Sequence, residues 1–181
     1  MLLADLQPRV RAALTSVLVE EWTLFAATAG TSHPSERTVA FQLGWHLRRA
    51  VDPTWSVDAE YDRSGMLLED AVRLDGGRAV PNLIVHHRGL LGPEHNLLLV
   101  HVAADASAAH RPNLAAAQGL QRRFGYRYAL VLDVGLQADR TASTVSPVWQ
   151  WATLEDGPVT PEPVPVYADG LPVEVVARAQ G

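Results

Sequence analysis

The segment from Arg78 to Ala104 constrains the fold more than any other part of the chain. It reads RAVPNLIVHHRGLLGPEHNLLLVHVAA. Its two apolar runs predict strands over Ala79–His87 and Asn96–Ala103, and the glycines and proline within Arg88–His95 predict a turn between them. Because two such strands cannot satisfy their backbone groups alone, the chain has to contain a sheet that includes this strand–turn–strand unit.

Two helices are predicted ahead of this unit. From Asp5 to Ala29 apolar residues recur at helical spacing, with Pro8 tolerable in the first turn and Gly30 as the stop. A second helix is predicted to start after Ser35, a favoured N-cap residue, and to run to about Ala50. The apolar positions of the first helix are Leu6, Val10, Ala13, Leu14, Val17, Leu18, Trp22 and Phe25.

The remaining periodicity completes an α/β pattern. The segment TWSVDAEYD alternates apolar and polar residues and predicts a strand, and a helix is predicted over Asn113–Phe124. Strands are predicted over Tyr126–Val134 and Val145–Leu154. The order αα, β, β, β, α, β, β predicts an α/β sandwich around a mixed sheet, as one domain over residues 1–154. The proline-rich tail, residues 155–181, is expected to be extended or weakly held.

Composition narrows the chemistry. With 181 residues and 48% hydrophobic content, the chain is long enough for one buried core. It has no cysteine, which excludes disulfides and thiolate metal sites, and no lysine, which excludes lysine bases and Schiff bases. Without a secretory signal or a long apolar run, we expect a cytoplasmic protein that makes no membrane contact. The net charge of −5 is opposite to the usual footprint of duplex binding.

Four stretches stand in order along the middle of the chain. They are SERTVAFQLGWHLRRAVDPTWSVDAEYDRSG, VPNLIVHHRG, HNLLLVHVAA and NLAAAQGLQRRFGYRYALVL. In type and order they resemble the motifs of a bacterial group in the PD-(D/E)xK, or restriction-endonuclease-like, nuclease superfamily. The resemblance covers about residues 35–134. It implies a restriction-endonuclease-like α/β sandwich with a central mixed β-sheet flanked by helices.

The resemblance also assigns the positions of a nuclease site. Glu36 matches a helix glutamate, Glu60 lies in a Val-Asp-x-Glu-Tyr-Asn-Arg-like strand run, and Asn82 occupies the slot of the family's aspartate. His101 and Ala103 occupy the slots of the Glu-x-Lys triplet. In the family the two carboxylates bind magnesium and the lysine contacts the scissile phosphate. An amide and an imidazole suit magnesium poorly, and alanine supplies no ligand. The resemblance therefore implies a degenerate site with no catalytic residues and no cofactor.

We accordingly predict a catalytically inactive, nuclease-like protein that acts as a binding, scaffold or regulatory subunit. A protein partner or a homodimer is expected, since the fold signals persist where the site has been lost. Trp22 and Phe25 on the first helix, together with the proline-rich tail, are the candidate contact surfaces.

One alternative is a metal-dependent nuclease with relocated ligands. His86 and His101 are predicted to share a face of the sheet, and with Glu60 they could bind a transition metal. Ile84 and Leu99 make that face look apolar, however, and His87 could be the outward residue instead. Glu36 and Glu60 could equally be a residual pair, or form salt bridges with Arg37 or Arg63.

A second alternative is nucleic-acid binding without cleavage. Trp149 and Trp151, at strand spacing, could form a platform for stacking bases, although packing in the core is favoured. The arginine pairs 48–49 and 122–123 are interpreted as solvated helix faces. The acidic net charge counts against this function unless arginines gather on one surface.

Overall fold

The structure is a computed structural model that describes residues 1–26, 34–61, 80–104, 114–138, 142–164, 167–168, 171–172 and 175–178. In these ranges the chain is mixed α/β, which confirms the predicted class. The elements are α1 Leu3–Glu20, α2 Trp22–Ala26, α3 Glu36–Ala50, β1 Ser56–Ala59, β2 Leu83–His86, β3 Asn96–Ala103, α4 Leu114–Phe124, β4 Tyr128–Asp133, β5 Leu136–Ala138, β6 Ala142–Val145, β7 Val148–Thr153, β8 Gly157–Pro158, β9 Glu162–Pro163, β10 Tyr167–Ala168, β11 Leu171–Pro172 and β12 Val175–Arg178.

The described strands form a central mixed sheet of seven strands. The order is β1-β2-β3-β4-β7-β8, and β9 also pairs with β7. Strand β2 is antiparallel to both β1 and β3, β3 and β4 are parallel, and β4 and β7 are antiparallel. Parallel neighbours need a crossover connection, and α4 lies in the connection between β3 and β4. As a result β1, β3 and β4 all run in the same direction.

The two faces of this sheet pack against different helices. Alternate residues of β2 and β3, such as Val85 and Leu98, join α1 and α3 in the larger core. The intervening residues, such as Ile84 and Leu99, join α4 in a smaller one. Strand β3 is buried on both faces over most of its length, which explains its nearly continuous apolar sequence.

Helix α3 begins and packs as its sequence indicates. The Ser35 hydroxyl accepts a hydrogen bond from the Thr38 backbone N–H at 3.1 Å, so the predicted N-cap is confirmed. Gly44 lies directly over β2, and a Cβ there would approach the Leu83 Cδ1 atom to 2.7 Å. This close contact sets the helix against the strands that carry the candidate site.

The N-terminal helix differs from its prediction. A break at Glu21 divides it into α1 and α2, and residues 27–29 of the predicted helix lie outside the described residues. Phe25 is fully buried, so its assignment to a contact surface was wrong, whereas Trp22 is 42% exposed. The physical reason is that a Phe side chain gains roughly 2 kcal/mol from burial, and Phe25 packs in the same core as the buried face of α1.

Strand boundaries were predicted best where the strand is longest. Strand β3 has the predicted bounds, while β2 starts at Leu83, because Pro81 has no N–H to donate. The predicted strand Val145–Leu154 is divided by Pro147 between β6 and β7, and β5 was not predicted.

The tail also contributes strands, since β8 and β9 pair with β7, and β12 pairs with β6. The boundary predicted between residues 154 and 155 thus falls between β7 and β8, which are hydrogen-bonded neighbours. In the ranges described above, no helix combines the length and the apolar character needed to cross a membrane.

Candidate functional site

The register of the first three strands brings Glu60, Asn82 and His101 into one row, here called the site row. Glu60 N–H donates to the Asn82 carbonyl at 3.1 Å. The pairing of Leu83 with Val100 places Asn82 opposite His101. The His101 side chain lies on the same face as Leu99, which α4 covers farther along. Glu60 follows β1 and Asn82 precedes β2, and their side chains bind Arg37 of α3 and the Val102 backbone N–H.

Two more predicted positions lie at the same end of the sheet. Ala103 follows His101 by two residues on the same face and is buried. Glu36 is the first residue of α3 and precedes Arg37, whose guanidinium binds Glu60. The fold therefore gathers the positions assigned by the resemblance at the carboxyl ends of β1 and β3. Asp133, the last residue of β4, pairs with Ala103 and was missed by the sequence reasoning.

Glu60 is bound within the protein and has unusual backbone geometry. Arg37 Nε donates to its carboxylate at 2.7 Å, which confirms one of the salt bridges considered for this residue. Arg63, the other partner considered, lies outside the described residues. Glu60 has a φ of +48°, the left-handed region that a side chain with a Cβ adopts at a cost.

Asn82 serves the backbone of the neighbouring strand. Its Oδ1 atom accepts a hydrogen bond from the Val102 N–H at 2.8 Å. The bond occupies the amide oxygen where the regular pairing of β2 and β3 ends. The amide oxygen, the only atom of this side chain suited to bind a hard cation, is therefore used to hold the sheet together.

His101 is the least satisfied member of the site row. Its Nε2 atom is buried and has no hydrogen-bond partner among the described residues. Burial lowers the pKa of His101 to about 4, because the charged imidazolium loses its hydration. The ring is therefore neutral at pH 7, the form in which an imidazole can coordinate a transition metal.

The structure does not bring together the alternative metal ligands Glu60, His86 and His101. His86 lies four residues along the chain from Asn82, the residue opposite His101, a span of about 13 Å in an extended strand. Throughout the part of the chain that the structure describes, no group of three or more His, Asp or Glu side chains is arranged to hold a metal ion.

A second polar cluster on the same strands, here called the Asp58 network, was also missed. Asp58 accepts hydrogen bonds from Arg88 Nε at 2.9 Å and His86 Nε2 at 2.8 Å, and from a second guanidinium nitrogen of Arg88. The His86 ring is fully buried and meets Tyr61 edge-on, with ring centroids 4.8 Å apart. The Arg88 guanidinium, with a smaller contribution from His86, holds the pKa of Asp58 below its usual range.

The neighbouring histidine points the other way. His87 stacks on Trp55 with ring centroids 4.0 Å apart, and its Nδ1 atom lies 3.1 Å from that of His95. Since His86 is fully buried and His87 only partly, His87 is the outward residue of the pair, as the sequence suggested.

The two tryptophans considered as a stacking platform belong to the core. Trp149 and Trp151 are 4% and 1% exposed, and their rings meet edge-on. The interpretation as core residues is confirmed, and a base-stacking role for this pair was wrong.

Comparisons with known proteins do not place this chain in a family. No protein-family model matches the chain, and neither a curated protein nor a solved structure shows significant similarity to it.

Proposed function

We propose that this chain is a non-catalytic PD-(D/E)xK-like domain that acts as a binding or scaffold subunit. One observation carries the proposal: the two oxygen-bearing side chains of the site row are engaged in contacts within the domain. Glu60 is ion-paired with Arg37 and Asn82 accepts a backbone N–H. Beside them stands Ala103, which has no group to offer a phosphate.

The order of elements supports the family part of the proposal. Helix α3, three antiparallel strands, α4 and β4 follow one another, and β3 and β4 are parallel. Helix α3 and helix α4 cover opposite faces of the sheet. A mixed sheet with helices on both faces is compatible with the fold that the resemblance implies, and the assigned positions lie at one end of that sheet.

The chemistry of the site row supports the functional part. Magnesium requires about six oxygen ligands in near-octahedral geometry, usually including one or two carboxylates. Of the three side chains in the site row only Glu60 carries a carboxylate, and its charge is compensated by Arg37. Hydrolysis by the family mechanism would also need a cation near the phosphate in place of Ala103. Loss of such groups commonly costs orders of magnitude in rate.

Isothermal titration with Mg²⁺, Mn²⁺ and Zn²⁺, paired with a duplex-cleavage assay, tests the proposal. We expect neither binding nor cleavage. His101→Ala is the informative variant. His46→Ala is its matched control, since His46 is also buried and its Nε2 atom has no hydrogen-bond partner among the described residues.

Tight metal binding that disappears with His101→Ala and persists with His46→Ala would overturn the proposal. So would manganese-dependent cleavage that is abolished by Glu60→Gln. Either result would favour the alternative, a metal-dependent nuclease with relocated ligands, for which the buried neutral imidazole of His101 is the supporting observation.

A further inference from the structure

The outer face of α3 has an unusual composition. All of its exposed side chains are arginines or aromatic rings, and their positions, 37, 41, 45, 48 and 49, lie along one side of the helix. Surface helices in soluble proteins usually present a mixture of charged and polar residues there. This surface, here called the α3 stripe, consists of Arg37, Phe41, Trp45, Arg48 and Arg49.

The centre of the α3 stripe is apolar. Phe41 is 56% exposed and Trp45 is 57% exposed, and they stand one helical turn apart, about 6 Å along the axis. The opposite side of α3 already fills the core with residues such as Leu43 and Leu47. The two rings therefore add little to the stability of the isolated domain, and adjacent exposed rings of this size are typical of a contact surface.

The C-terminal end of the α3 stripe is positively charged. Arg48 and Arg49 have no carboxylate partner in the described ranges, and the Arg49 guanidinium lies 5.7 Å from the centre of the Trp45 ring. At the other end, Arg37 is ion-paired with Glu60 at 2.7 Å, so its charge is compensated within the protein. The net charge of the chain is −5, so this cluster of arginines is a local exception to its overall acidic character.

We propose that the α3 stripe docks an acidic amphipathic segment of another protein. The apolar side chains of that segment would cover Phe41 and Trp45, and its carboxylates would face Arg48 and Arg49. This inference rests on the proposed function, because it names the class of partner that the binding subunit receives.

The charge pattern favours this occupant over a second copy of the chain. A two-fold axis that packs two α3 stripes parallel sets Arg48 and Arg49 opposite themselves, and like charges in contact oppose association. Antiparallel packing sets Arg49 opposite the partner's Arg37, whose Glu60 carboxylate is already paired, so it supplies no free acidic group. A segment with acidic residues opposite Arg48 and Arg49 complements this end of the stripe.

A nucleic acid is less well matched. A polyanion meets long-range repulsion from the net charge of −5, whereas a short acidic segment carries fewer charges toward the surface. Base stacking would also compete with Arg49 for the Trp45 ring.

Fluorescence anisotropy with a labelled synthetic helix tests the proposal. The probe has about 16 residues, roughly four turns, with leucine and phenylalanine on one face and glutamate elsewhere. A second peptide has lysine in place of every glutamate, and an oligothymidine of similar length is the third ligand. We expect binding of the glutamate peptide only, weakening as salt is added.

Two double variants locate the contact. Arg48→Glu with Arg49→Glu, and Phe41→Ser with Trp45→Ser, are each expected to weaken binding about tenfold or more. Arg122→Glu and Trp22→Ser are matched controls, since both residues are exposed and lie on other helices. Because all these side chains are exposed, thermal melting should report folded protein in every case.

Equal binding of both peptides, or unchanged affinity in the double variants, would overturn the inference. Preferential binding of the oligothymidine would do the same, as would a dimer in light scattering that dissociates on Trp45→Ser. A wild-type protein that neither cleaves duplex nor binds the acidic peptide refutes this inference alone, whereas metal-dependent cleavage refutes the proposed function.

Discussion

The Asp58 network and the site row lie on the same strands and differ in how their polar groups are satisfied. In the network, one carboxylate accepts hydrogen bonds from a guanidinium and from a buried imidazole. In the site row, His101 has a buried nitrogen without a partner among the described residues, and Glu60 has a left-handed backbone. Complete satisfaction is what stability requires, so the site row holds features that folding alone does not explain.

The largest expected effect tests whether the Asp58 network holds the sheet edge. Asp58→Ala removes the carboxylate that accepts hydrogen bonds from both buried His86 and Arg88. We therefore expect the free energy of unfolding to fall by about 2–3 kcal/mol. Urea denaturation measures it. Asp52→Ala is the control, because the exposed Asp52 carboxylate accepts its hydrogen bonds within the described residues from Thr54, two positions away. Equal losses of unfolding free energy in the two variants would mean that the Asp58 network does not stabilise the sheet edge.

The next effect separates the two regions by pH. The pKa of His101 is about 4 in the folded state, and its ordinary value is 6.5. Between pH 6.5 and pH 4 the unfolded state therefore binds a proton at this histidine and the folded state does not. Stability should therefore fall by about 2 kcal/mol between pH 6.5 and pH 4.5. Asp58 behaves differently: its pKa lies below 3.8, so its contribution is present above that pH and is lost as the pH falls farther.

His101→Leu checks this assignment. The variant removes the titrating ring, so the loss of stability between pH 6.5 and pH 4.5 should shrink while any loss below pH 3.8 remains. Denaturation series at several pH values supply the measurement. An unchanged slope in the leucine variant would mean that another group causes the dependence.

These contrasts indicate what could be predicted for the fold. Long periodic elements carry their signal locally, and so β3 and the Ser35 cap of α3 were predicted correctly. Strand β5 and the tail strands are two to four residues long and depend on pairing with distant segments. A window of sequence that short contains too few alternations to indicate a strand.

The candidate site shows the same limit. The resemblance predicted that Glu60, Asn82 and His101 belong together, and the register places them in one row. Their actual partners depend on contacts across the sheet, such as that of Asn82 with the Val102 N–H, twenty positions away in sequence. The bulge between Val85 and His86 likewise follows from strand pairing, which sequence spacing does not reveal.

A smaller effect tests whether the Asn82 side chain stabilises the sheet. Asn82→Ala leaves the Val102 N–H without its acceptor, and we expect a loss of about 1.5 kcal/mol. Asn82→Asp keeps an oxygen in the same place and should cost less. If Asn82→Ala and Asn82→Asp have the same free energy of unfolding, the hydrogen bond to Val102 does not stabilise the sheet, and Asn82 has no structural role at this position.

The smallest effect concerns the backbone at Glu60. Glu60→Ala and Glu60→Gly both remove the salt bridge to Arg37, so their difference isolates the cost of a Cβ at a φ of +48°. We expect the glycine variant to be more stable than the alanine variant by about 1 kcal/mol, because glycine enters the left-handed region without a steric penalty.

Glycine at an ordinary strand end loses stability relative to alanine, since it has more freedom in the unfolded chain. The sign of the difference is therefore decisive. A more stable glycine variant shows that the site row stores backbone strain, while a more stable alanine variant would place Glu60 among the ordinary residues of the sheet edge, like those of the Asp58 network.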